Sequence, residues 1–300
     1  MSFLRIYVLS LVLMAGWACA GNDAAPGDAS EVSVDLVAAE ASEVIDAAGD
    51  LPTIEFCEGP VRAVFDPEDR LAIPFPSDLF TIEDPETVTG LRVHFNEENS
   101  AADPMFQDYG GLSAQLNALD GFGTTAGLVF ALSDEIGAQE TLDGVTHTTP
   151  PSCLAGGPGA TIVAGTPIVL VGIQAGSPDY GHAVPLVVEY VTDRSPGGEG
   201  QHYMIAEPAL PLRPKTTYVA ALTRHLTDLQ GTCVSPSAAT RRLVSGLDPE
   251  RFGRLGALAP HALDVLREAG LIQGPGDVTA LTVFTTQSIE EEILEAVKVL

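Results

Sequence analysis

Chemistry in this chain would have to come from a serine, from scattered histidines or from clusters of acids. Ser113 lies in Gly111-Leu112-Ser113-Ala114-Gln115, the nearest approach to a G-x-S-x-G nucleophile elbow. That elbow needs both glycines, because the nucleophile rides a strained strand-to-helix turn. The second glycine is missing and no strand signal precedes Gly111, so Ser113 reads as an ordinary polar residue. His94, His147, His182, His202, His225 and His261 occur singly, with no i, i+4 pair of the metal-ligating kind. His261 and Asp264 share a helix face at i, i+3, as a local polar pair. The acid clusters Asp66-Pro67-Glu68-Asp69 and Asp143-Gly144 lack the ordered positions of a calcium loop. No cofactor is expected; calcium in an acidic loop is the one metal left open. In Gly156-Gly157-Pro158-Gly159, Pro158 removes an N–H that a phosphate cradle would use. No catalytic residue is assigned, and the chain itself is not expected to be an enzyme.

Fourteen Lys and Arg stand against 41 Asp and Glu, a net charge of −27. A deficit this deep repels phosphate backbones and anionic membrane faces, which excludes nucleic acid as a partner. Membrane contact is left to the N-terminus. Met1–Ala20 has one cation (Arg5), an apolar run from Ile6 to Ala15 and then Ala18-Cys19-Ala20, the pattern of a secretory signal. Two processing readings compete. Ala18-Cys19-Ala20 before Gly21 suits ordinary signal peptidase; Gly16-Trp17-Ala18-Cys19 is similar to a lipobox, with Cys19 as the lipidated first residue, although Trp17 stands where a small residue is usual. Residues 21–52 hold eight acids, no cation and no aromatic, and so bury too little to offset their ordering entropy. A disordered acidic tether beside a lipidated Cys19 suits a cell-envelope (outer membrane) lipoprotein; a linker in a freely extracellular protein is the alternative.

With Cys19 modified or removed, Cys57, Cys153 and Cys233 remain. None has metal-ligand spacing, and an exported chain favours one disulfide and one spare thiol. Cys57 lies nearest the tether, so Cys153–Cys233 is the expected pair.

These residues need elements to hold them. β-rich runs recur at Gly127–Leu132, Thr161–Ile173, Val184–Thr192, Tyr203–Ala206, Thr216–Leu222 and Val278–Thr285, several alternating with period two. Turn chemistry separates them, as in Ser177-Pro178-Asp179 and Asp228-Leu229-Gln230-Gly231. Short strands punctuated this way predict an all-β sandwich over residues 53–288. Gly111–Leu119 and Pro260–Gly270 read as helical, the second starting at its proline and forming an insertion near residues 248–270. Ser288 and Glu291 form a capping box that opens an amphipathic helix over 289–300. Phe75 and Leu79 should anchor the Pro74–Pro76 segment in the core, Asp78 should cap the next turn, and Tyr218 should bury its ring with its hydroxyl on a backbone group.

Two series of these motifs are familiar. Phe65-Asp66-Pro67, Ile73-Pro74-Phe75-Pro76-Ser77-Asp78-Leu79 and Leu119-Asp120-Gly121-Phe122-Gly123-Thr124-Thr125-Ala126 together resemble the N-terminal domain of bacterial virulence-factor lipases, with Ser77 for the usual Asn and Gly123 for the usual Ser. Leu212-Arg213-Pro214-Lys215-Thr216-Thr217-Tyr218, Leu226–Gly231 and Phe284-Thr285-Thr286 resemble bacterial Ig-like repeats of the S-layer-associated type. The resemblance implies an Ig-like sandwich and, as a partner, a covalently linked or associated α/β-hydrolase domain, whose serine elbow maps onto no position of this chain. Three readings follow: a non-catalytic envelope module that displays or supports a partner domain, the N-terminal portion of a secreted lipase or esterase, or a surface adhesin binding through loops such as 153–159.

Overall fold

A computed structural model describes residues 54–95, 112–136, 138–142, 145–149, 157–193 and 201–289, all within one compact unit running from Pro52. The signal, the tether, Cys19, Cys153 and the start of the amphipathic helix beyond Ile289 fall outside them. Among the described residues, strands in antiparallel sheets predominate and helices are few. The strands are β1 (Thr81–Glu83), β2 (Leu91–Val93), β3 (Leu128–Leu132), β4 (Ala138–Leu142), β5 (Val145–Thr149), β6 (Ile168–Gly172), β7 (Leu186–Asp193), β8 (Gln201–Pro208), β9 (Thr217–Thr223) and β10 (Val278–Thr285). They form two three-stranded sheets, β10-β9-β6 and β3-β8-β7, and two hairpins, β1-β2 and β4-β5. Residues of both larger sheets join one hydrophobic core, with Phe130, Leu128 and Met204 from one and Ile168, Tyr218 and Phe284 from the other.

The two sheets differ in burial, and so in what their sequences look like. Along β3 and β8, buried residues alternate with more exposed ones, as expected of a sheet with one covered face. In β6, β9 and β10 every residue is buried. The alternation in Thr217–Thr223 therefore does not separate core from solvent, because both faces of the strand are buried; helices pack against the neighbouring β10. Those helices lie between β9 and β10: α2 (Ala238–Val244) and α3 (Gly253–Glu268), after the short α1 (Leu112–Leu116) earlier in the chain. Leu255, Ala259, Ala262 and Leu266 form the buried stripe of α3, which packs against β10. The sequence placed the start of this helix at Pro260, but the proline lies inside α3. It forgoes the hydrogen bond that its missing N–H would make to the carbonyl of Gly256, while the apolar stripe continues on both sides of it. Within the expected run Thr161–Ile173 only Ile168–Gly172 is strand; Pro158–Ile162 is a 3-10 turn, and Gly165, at φ +83°, turns the chain ahead of Pro167.

The disulfide also differs from expectation. Cys57, not Cys153, is bonded to Cys233, with Cα atoms 6.1 Å apart. The stretch after Cys57 runs alongside the stretch after Cys233: Ala63 N–H donates to Ser235 O at 2.9 Å and Ser235 N–H to Val61 O at 2.8 Å. Proximity to the tether in sequence is thus no obstacle, since the folded unit begins before Cys57.

Candidate functional site

The motif residues converge on one segment, Thr285–Ser288, where the chain leaves β10. Asp78 reaches it from the loop before β1. Ser77 is extended and its hydroxyl accepts the Leu79 N–H, so Ser77 caps the 3-10 turn and Asp78, the first residue inside it, is freed to point inward. Asp78 is 1% exposed. Its Oδ1 accepts the Thr285 N–H at 2.9 Å, and its Oδ2 accepts the Thr285 hydroxyl at 3.0 Å and Arg254 Nε, from α3, at 2.9 Å. Burial raises the carboxyl above its ordinary range, outweighing the opposing pull of Arg254 and Thr285. One side chain thereby ties a loop, a helix and a strand together. The expectation that Asp78 caps the turn is corrected accordingly.

Asp120 and Gly121 approach the same segment from the other side. Asp120 Oδ1 accepts the Ser288 N–H at 2.9 Å. Phe122 N–H donates to Thr285 O at 2.9 Å, and Gln287 N–H donates to Phe122 O at 2.8 Å. The backbones approach so closely that a Cβ on Gly121 would lie 2.7 Å from Gln287 N and 2.8 Å from Thr285 O. Phe122 then stacks edge-on against both Phe75 and Phe284, at 5.6 and 6.4 Å between ring centres. Phe75 is held by paired hydrogen bonds with Val129 of β3, and Pro76 O accepts the Thr282 hydroxyl at 2.8 Å. Pro74 is buried beside them.

The Ig-like series arrives from a third direction. The Thr286 hydroxyl donates to Arg213 O at 2.6 Å, and Thr286 N–H donates to Thr216 O at 3.0 Å. Tyr218 is fully buried, and its hydroxyl accepts the Arg213 N–H at 3.0 Å while donating to Asp179 Oδ2 at 2.6 Å. Burial and the bond to Asp179 push the phenol up. Asp179 Oδ1 accepts Arg213 Nε at 2.7 Å. Burial of Asp179 works upward, but the Tyr218 hydroxyl and Arg213 outweigh it and leave the carboxyl below its ordinary range. The sequence reading placed Asp179 in a turn and missed this role, for which no local signal exists: its partners lie 34 and 39 residues away.

The remaining motif residues stand elsewhere. Phe65 packs on Phe252 at 5.9 Å, and Asp66 Oδ1 accepts the Glu68 N–H at 3.0 Å, with Pro67 between them in the turn. Asp228 Oδ1 accepts the N–H groups of Gln230 and Thr232, at 2.9 and 2.8 Å, around Gly231 at φ +80°. Such a positive φ is open to glycine at little cost. His261 does not pair with Asp264. Its Nε2 meets Ile173 O at 3.0 Å and its ring stacks on Tyr180, while Asp264 accepts from Arg267 at 2.7 Å. Ser113 lies in α1. Among the described residues, no cluster of three His, Cys, Asp or Glu side chains could hold a metal ion.

The acids that the motifs bring together are bound to backbone N–H groups, hydroxyls and arginines, the chemistry of a joint between segments. No protein-family model, no curated protein and no solved structure matches this chain.

Proposed function

We propose that this chain is an exported, lipid-anchored, non-catalytic Ig-like module of a bacterial cell-envelope protein, and that it supports or displays a partner domain. The observation that carries this reading is the convergence on Thr285–Ser288. Residues from both motif series, up to about 200 positions apart in the chain, spend their polar groups on fixing one short stretch of backbone. A segment pinned by a buried carboxylate, a close-packed glycine and two threonines suits the transmission of a fixed orientation to whatever it carries. Two three-stranded antiparallel sheets sharing one core support the β-sandwich, with the α2–α3 insertion packed against β10. The sequence resemblance supplies the class of partner, an α/β-hydrolase, and Cys19 the anchor.

Two measurements test it. Purified full-length chain assayed on p-nitrophenyl esters should give no turnover above buffer; turnover that is lost in Ser113→Ala overturns the non-catalytic reading. Mass spectrometry of the mature N-terminus should find Cys19 carrying acyl chains, whereas an unmodified start at Gly21 removes the anchor.

A further inference from the structure

We infer that the crevice between the Gln174–Pro178 turn and the Arg213–Thr216 segment is a binding site for a small carboxylate ligand, a role independent of the support function. The crevice has a volume of about 360 Å³, at the lower end of the range for small-molecule sites. Its lining is rich in hydrogen-bond donors and contains no Asp or Glu.

The donors are held in place from behind. Arg213 is fixed through Nε to Asp179 Oδ1, and Asp179 is fixed in turn through Oδ2 by the hydroxyl of fully buried Tyr218. Both Nη groups of Arg213 are left without a hydrogen-bond partner among the described residues, on a side chain 53% exposed. Gln174 is oriented the same way: its Oε1 accepts the Thr217 N–H at 3.0 Å, so its NH₂ group points elsewhere and has no partner among the described residues. The turn adds the Ala175 and Gly176 amides, which donate to no described acceptor, and the Ser177 hydroxyl, which accepts the Asp179 N–H and keeps its own proton to donate. Side chains already ordered by their supports lose little further entropy when a ligand arrives.

The charge balance selects the kind of anion. A guanidinium edge matches a carboxylate in plane, through two parallel N–H···O bonds. One arginine already paired with the Asp179 carboxylate, on a chain of net charge −27, offers two free Nη donors but little net charge, too little for a phosphate dianion. It suits a monoanion, and the remaining amide and hydroxyl donors suit hydroxyl groups beside it. A sugar acid combines both features.

Calorimetric titration of the full chain tests this, with galacturonate as the probe, galactose as the same ring without the carboxylate, and inorganic phosphate as the competing anion. Galacturonate should saturate at about 1 mM or below, and galactose should bind about tenfold more weakly or worse. Arg213→Gln and Gln174→Glu should each weaken galacturonate binding about tenfold while keeping the parent melting transition within a few degrees; Glu still offers an oxygen to the Thr217 N–H and removes only the NH₂ donor. Arg213→Gln also loses the Asp179 pair, so Gln174→Glu keeps the test valid if that variant melts early. Absence of saturation, equal binding of galactose, tighter binding of phosphate, or unchanged affinity in a folded Gln174→Glu variant each overturns the site.

Discussion

Asp78 shows how much one side chain can organise. Its two oxygens take three donors from β10 and α3, and it is enclosed almost completely. In Asp78→Asn, the NH₂ of the new amide must face either Arg254 or Thr285, both already donors. The loss of these bonds with partners left unsatisfied should cost about 1–3 kcal/mol, read as a lower urea midpoint with an unchanged slope. The pH dependence has a definite sign. Burial holds the folded carboxyl above its ordinary value, so the folded state binds this proton more tightly than the unfolded chain does. The contribution of Asp78 is full below the unfolded value, about 3.9, and falls as pH rises through the raised one. The stability gap between parent and Asp78→Asn should therefore narrow from pH 4 to pH 8. A gap that widened over that interval would show that Arg254 and Thr285 overcome the burial.

At the scale of elements, the exit of β10 is held by close backbone approach as much as by side chains. Gly121→Ala places a methyl group against Gln287 N and Thr285 O, backbone atoms that cannot swing aside. The expected loss is about 1–3 kcal/mol. Gly123→Ala is the control, since a Cβ there meets nothing nearer than 3.9 Å; it should stay within about 0.5 kcal/mol. Equal effects from both would mean that the segment yields freely and that the close approach matters little. The Leu119–Ala126 motif was legible in the sequence as a motif, but its contact with Thr285–Gln287 was not. Periodicity reports which face of a strand is buried, not which distant loop lies against its end. The same limit explains β9 and β10. Their runs were visible as strands, but not their burial on both faces: α2 and α3, which pack against β10, come between the two strands in the chain. Asp179 is the clearest case: a Ser-Pro-Asp turn looks alike whether its carboxylate meets water or a buried tyrosine.

For the whole molecule, the terms that hold the fold together must offset a large surplus of negative charge. Arg92, Arg213, Arg224, Arg241, Arg242, Arg251, Arg254 and Arg267 each pair with an acid. Apart from the Asp78–Arg254 pair, they are partly or largely exposed, where such pairs contribute little. A covalent link between distant parts of the chain matters more. Cys57 and Cys233 are separated by 176 positions, and the link ties the first described residues to the turn after β9. Arg241 reinforces that seam, gripping Glu58 through both carboxylate oxygens at 2.6 and 2.9 Å and lying over the Phe56 ring at 5.2 Å. The sequence indicated one disulfide and one of its cysteines, Cys233, but paired it with Cys153 instead of Cys57, because pairing depends on the register of the 57–64 segment against 233–235. Chain entropy for a loop of this length amounts to about 5 kcal/mol, and removal of a native disulfide from an exported domain commonly costs about 2–5 kcal/mol. Cys57→Ser should lower the urea midpoint by a matching amount, and reductant should bring the parent down to the same level while leaving the variant unchanged. Peptide mapping under non-reducing conditions should recover Cys57 joined to Cys233. A Cys153–Cys233 peptide in its place, or a parent indifferent to reductant, would show that the seam is held by Arg241 and the paired backbone alone.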